Sequence, residues 1–207
     1  MSDESGAGAS GTSPDRVDPA DPAELAALRA VFGSDGGCRP PLGWAAVRAF
    51  EAEHGVVLPE PYRTFVAEIA DGSASGPPEY GFLPLAELPS DWDGEADVRS
   101  LSSPFPLTEA WMWEDEDDDG PESVADGEDV DAVLDRVHGD GSVVLGTDGC
   151  AMNWHLVVTG PHRGQIWMIT DVGAVPFGAP YGHTTAEPGF TGWVRHWADK
   201  KSWYDVA

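Results

Sequence analysis

Asp115, Asp117, Asp119, Gly120 and Asp126 fall at positions 1, 3, 5, 6 and 12 of a calcium-binding loop, a spacing in which alternate carboxylates can converge on one hard cation. The match departs from that chemistry at three places. Asp126 replaces the bidentate glutamate that closes such loops, Pro121 follows the glycine, and Glu122 stands where an apolar residue normally anchors the turn. No metal ligand set is therefore assigned. The run Glu114, Asp115, Glu116, Asp117, Asp118 and Asp119 reads as a solvated acidic loop that draws cations weakly and non-specifically. Its company is aromatic: Trp92, Trp111 and Trp113. Tryptophan anchors beside a field of carboxylates suit a basic protein surface, so these three tryptophans and six acids form the candidate partner-binding set. Trp111 and Trp113 also fit the core side of a strand, with Met112 facing outward.

An enzymatic alternative, a hydrolase, would use His155 on a strand as a general base oriented by Asp148 or Asp171. The chain lacks the rest of that machinery. There is no GxSxG, no recognisable Ser or Cys elbow and no HExxH spacing, and no Ser, Cys or Lys nucleophile is expected within hydrogen-bond reach of His155. No catalytic residue and no cofactor are assigned. The glycine-bearing turn from Gly146 to Met152 is not followed by a helix, which argues against a phosphate cradle, and Cys150 within it is expected to be a small buried residue.

Charge narrows the partners further. Eleven Lys and Arg against 37 Asp and Glu give a formal net charge of -26 over 207 residues. Such a field repels nucleic acid and anionic membranes and steers basic proteins inward. It is also uneven: Glu87 to Asp135 holds 18 acidic residues and one basic residue, Arg99. The start of the chain has no basic region followed by an apolar one, and no stretch approaches the ~18 apolar residues of a membrane span. Cys38 and Cys150 lie far apart with no CxxC spacing, which suits a reducing compartment. A soluble, cytoplasmic protein is expected.

The elements that must position these residues follow from periodicity. Residues 1–22 are Gly, Ala, Ser, Asp and Pro with little to bury and read as a disordered tail, and 23–207 reads as one domain. A first helix opens at Pro22, with Leu25, Leu28 and Phe32 on one stripe. A second turns Ala46, Val47 and Phe50 inward and ends at Gly55. Tyr62, Phe65, Val66 and Ile69 mark a third, and Phe190, Trp193, Val194 and Trp197 mark a last helix expected to run from Phe190 to Trp203. Strands are predicted at Tyr80–Leu85, Ser142–Gly146, Met152–Thr159 and Gln165–Thr170. Residues 90–140 read as an acidic insertion looping out of the fold, with Val130, Val133, Leu134 and Val137 returning to the core. The fold class predicted is α+β: a small, mostly antiparallel sheet with helices packed on it.

One further signal is a resemblance. Leu58, Pro59, Tyr62 and Phe65, the Asp71-Gly72 turn, Gly81, Leu83 and Leu85, then Gly146, Asp148, Gly149, Phe190, Trp193 and Trp197 follow in the order of the SUKH superfamily. This is the Smi/Knr-type group of bacterial toxin-immunity proteins and fungal cell-wall regulators. The resemblance implies a SUKH-like fold and binding of a protein without chemistry. It makes a cognate toxin, in many members a nuclease with a basic groove, the expected partner, with a regulatory scaffold role as the alternative.

Overall fold

The computed structural model describes residues 19–33, 36–85, 87–90, 92, 99–113, 129–178 and 184–203. Among them the chain forms α1 (Pro22–Phe32), α2 (Trp44–His54), α3 (Tyr62–Glu68), α4 (Val130–Gly139), β1 (Ser142–Gly149), β2 (Met152–Val157), β3 (Ile166–Ile169), β4 (Ala174–Pro176) and α5 (Gly189–Ala198). This is the expected α+β architecture, built on one antiparallel sheet of order β1-β2-β3-β4.

The strands explain how the helices are arranged. Trp154 pairs with Gly146 and Met168, whereas His155 pairs with Val144 and Trp167, so alternate residues point to opposite faces. Val143, Leu145, Trp154, Leu156, Ile166 and Met168 share a front core with residues of α1, α2, α3 and α5. Val157, Trp167, Ile169 and Ala174 share a back core with Phe105, Leu107, Trp111, Val133 and Val137. A sheet covered on both faces has no solvated parity, which is why its strands read as continuous apolar runs.

Local chemistry fixes the helix ends. The Asp21 side chain accepts a hydrogen bond from Ala23 N–H at 2.8 Å and Pro22 occupies the first turn of α1, so an orphan donor is capped where none is needed from proline. Gly55 closes α2 in the left-handed conformation at φ 65°. Leu28, Phe32, Val47, Tyr62, Phe65 and Val66 are buried as their spacing requires. Ile69 stands just beyond α3 as its cap.

Four expectations are corrected. Tyr80–Leu85 is not a strand: only Phe82 bridges, to Ser73 and Gly146, because Gly81 sits at φ 97° and Pro84 has no N–H to donate. Helix α5 stops at Ala198 rather than Trp203, and Lys200 at φ 56° turns the chain so that the Trp203 ring returns to 4.8 Å from Trp154. Phe190, Trp193 and Val194 are buried, but Trp197 is half-buried and stacked on Phe32 at the rim. Within residues 90–140, Phe105, Leu107 and Trp111 pack behind the sheet together with Val133 and Val137 of α4, the latter two as their spacing predicts. Val130 fails to return to the core and is 49% exposed, while Val133 and Val137 are fully buried.

Candidate functional site

The three candidate tryptophans meet on the back of the sheet. Trp111 is buried and bridges Ala174 at the end of β4, which holds it in register with the sheet. Trp113 lies edge-on to it at 5.4 Å and donates from Nε1 to the backbone oxygen of Asp171 at 2.6 Å. His138, in the last turn of α4, stands between Trp113 at 6.3 Å and Trp92 at 6.1 Å. Trp92 also faces His155 at 5.8 Å and carries the Arg99 guanidinium over its ring at 5.8 Å. So residues 92, 111 and 113, scattered in sequence, are gathered by the back cover around one histidine.

Of these, Trp111 is core. Trp92 and Trp113 are half-buried, and Met112, between the two paired tryptophans, is 39% exposed, as the strand reading requires. Glu114, Asp115, Glu116, Asp117, Asp118, Asp119 and Asp126 lie outside the described residues, and the calcium-loop spacing lies there with them. The chain enters that acidic stretch from Trp113 and leaves it at Asp129, whose side chain caps α4 by accepting from Asp131 N–H. Two exposed apolar residues flank it, Met112, which the strand reading turns outward, and Val130, whose exposure periodicity missed because it belongs to the same helical stripe as Val133 and Val137.

The enzymatic constellation does not assemble. Asp148 is engaged on both oxygens, by Glu79 N–H at 2.8 Å and by Trp154 Nε1 at 2.7 Å, on the front side of the sheet. Asp171 offers its backbone oxygen to Trp113. His155 instead pairs through Nδ1 with Ser142 Oγ at 3.0 Å, so a serine does lie within reach, contrary to expectation. Both residues have no exposed surface. His138 and Arg99 lie close enough to act on the imidazole electrostatically, and Nε2 is buried without a partner among the described residues. Burial first, then the electrostatic influence of His138 and Arg99, holds the His155 pKa well below its usual value, so the ring is neutral at pH 7. A serine sealed from solvent beside a buried histidine whose second nitrogen has no partner among the described residues has no route to substrate and no carboxylate to stabilise an imidazolium.

The Gly146–Met152 connection is structural. A Cβ on Gly146 would lie 2.3 Å from Pro78 Cδ and 2.5 Å from the Gly81 oxygen, so the bulge in β1 can pack against the 78–82 segment only with glycine there. Cys150 and Ala151 take positive φ of 51° and 58° at the hairpin tip, which leaves Cys150 exposed rather than buried. Among the described residues no group of three or more His, Cys, Asp or Glu could hold a metal ion, and no helix is long and apolar enough to cross a membrane.

The fold is of the α+β class, one antiparallel sheet covered on both faces with aromatic helices closing the front. Residues 42–194 match the model of the SMI1/KNR4 family (SUKH-1), and the chain belongs to that family. The match begins just before α2 and ends within α5, so it takes in α2, α3, the back cover, the sheet and the first part of α5, while α1 lies outside it. Membership is compatible with a toxin-immunity or a regulatory protein. No curated protein and no solved structure matches the chain.

Proposed function

We propose that this protein is a non-catalytic immunity protein that binds and neutralises a basic toxin, and that the face around Trp92, Trp113 and the Glu114–Asp119 run is the contact surface. The observation that carries this reading is the gathering of half-buried Trp92 and Trp113 around His138, with exposed Met112 and Val130 at the two points where the acidic stretch joins the described structure. Aromatic and methionine side chains anchor interfaces, and carboxylates around them raise the association rate of a cationic partner. The net charge of -26 acts in the same direction over longer range. A nuclease presents a cationic groove to phosphate, and an acidic plug complements it. Family membership supports a protein ligand without specifying which.

The test is to co-purify the chain with its native basic partner and measure association kinetics at two ionic strengths. Wild type is compared with a variant in which Glu114–Asp119 are changed to Gln and Asn. Slower association of the variant at low salt, with a flatter salt dependence, is the expected result. Equal association rates would remove the acidic run from the interface. A partner that needs a regulated enzyme's activity rather than blocks a toxin's would favour the regulatory scaffold reading.

A further inference from the structure

A cavity of about 190 Å³ opens beside Val143 and Val144 of β1. Its apolar walls are Phe50 of α2, Leu88, Leu101 and the strand residues Val143 and Val144. Three charged or titratable groups border it: Arg99, His54 and Glu87. Glu87 already pairs with Arg39 at 3.1 Å, and His54 rests on Phe50 with ring centroids 4.4 Å apart. Arg99 is different. It is the single basic residue of the Glu87–Asp135 stretch, and its guanidinium donates from Nη2 to the Ser142 carbonyl at 2.8 Å. No carboxylate pairs with it among the described residues, and its Nε is buried without any partner. A desolvated guanidinium fixed by one carbonyl and a tryptophan face keeps donors and a full charge for a planar anion.

From the cavity and this arginine, which has no carboxylate partner among the described residues, we infer that the cleft binds a carboxylate carried on a small apolar body, with the carboxylate on Arg99 and the body among Leu88, Leu101, Val143 and Val144. An apolar cavity of about 150 Å³ holds a benzene ring, so a benzoate-sized acid fits the volume here. The inference needs none of the acidic run, although Arg99 rests on Trp92, which the toxin-binding reading places in its contact surface. The carboxylate can come from a free organic acid or from the C-terminus of a protein chain with an apolar last residue.

The experiment titrates the full chain, methyl-labelled at Val and Leu, with benzoate and with its neutral isostere benzamide. Saturable benzoate shifts at Leu88, Leu101, Val143 and Val144, with a dissociation constant of about 1 mM or tighter, are expected. Benzamide should bind at least ~10-fold more weakly, because a hydrogen-bonded charge pair is lost. Arg99→Gln should bring benzoate down to the benzamide level and leave benzamide unchanged. The wild-type comparison needs no variant and stands if Arg99→Gln does not fold. A short peptide ending in free Phe, against its amide, separates the sources: tighter binding than benzoate assigns a chain terminus, and weaker binding a free acid. Equal affinity for benzoate and benzamide, shifts confined to other methyls, or no shifts would each overturn the inference.

Discussion

Acidification should cost this protein stability through one residue, His155. Its imidazole has no exposed surface, and Arg99 and His138 lie nearby, so the folded state resists the proton that the unfolded state accepts at about pH 6.5. Below that pH the unfolded chain binds more protons at this site than the native chain, so stability falls as pH falls. The slope approaches ~1.4 kcal/mol per pH unit, and integration from neutrality to about pH 5 gives a loss of about 2 kcal/mol. Above about pH 6.5 the site contributes no pH dependence. Other groups titrate in the same window, so the measurement is a difference. His155→Gln keeps an amide that can meet Ser142 but cannot be protonated. Urea unfolding of both proteins, followed by tryptophan fluorescence, should show the variant less stable at neutral pH and the gap narrowing by about 2 kcal/mol at about pH 5. A gap that is the same at both pH values would refute the reasoning, because it would mean that the imidazole binds protons equally in both states.

Trp193→Ala should cost ~3–5 kcal/mol in the same assay, since the ring is fully buried and meets Phe82, Trp154, Phe190 and Trp203. Glu51→Ala should cost about 3 kcal/mol, because the buried carboxylate holds Arg63 at 2.6 and 2.8 Å and the Leu58 N–H at 2.9 Å. Glu51→Gln, which retains one acceptor, should cost less. Gly76→Ala should lower the melting temperature, as its Cβ would lie 2.8 Å from the Trp197 ring at φ 112°. Neutralising Glu114–Asp119 should leave the melting temperature unchanged or slightly higher while slowing association with a basic partner at low salt, read by thermal unfolding and stopped-flow kinetics.

The front of the molecule was legible in the sequence because helical spacing and burial agree there: Leu28 and Phe32, Tyr62 and Phe65, Phe190 and Trp193 all face one core. Strands β1 to β3 announced themselves as apolar on both parities, which already required a cover on each face. What supplies the second cover was not readable. Phe105, Leu107 and Trp111 anchor an irregular segment with no period, and only the core they share with Trp167 and Ile169 gives them meaning. Strand β4, three residues ending in Pro176, is too short for alternation to show. The site was half legible. Trp92 and Trp113 were singled out for their acidic neighbours, but His138 between them carried no sequence signal beyond lying at a helix end. The Ser142–His155 contact depends on β1–β2 pairing, which joins residues 13 apart and cannot be seen from spacing alone.

The tryptophans have a practical consequence of their own. Trp154, Trp193 and Trp203 form one assembly on the front of the sheet, and Trp92, Trp111 and Trp113 form another on the back. Each assembly is an intrinsic optical label for its own face. With the back group left intact and the front group together with Trp44 and Trp197 replaced by phenylalanine, fluorescence reports on the back of the sheet alone. The converse replacement, which must include Trp167, reports on the front, so events on the two faces can be timed separately in an unlabelled protein.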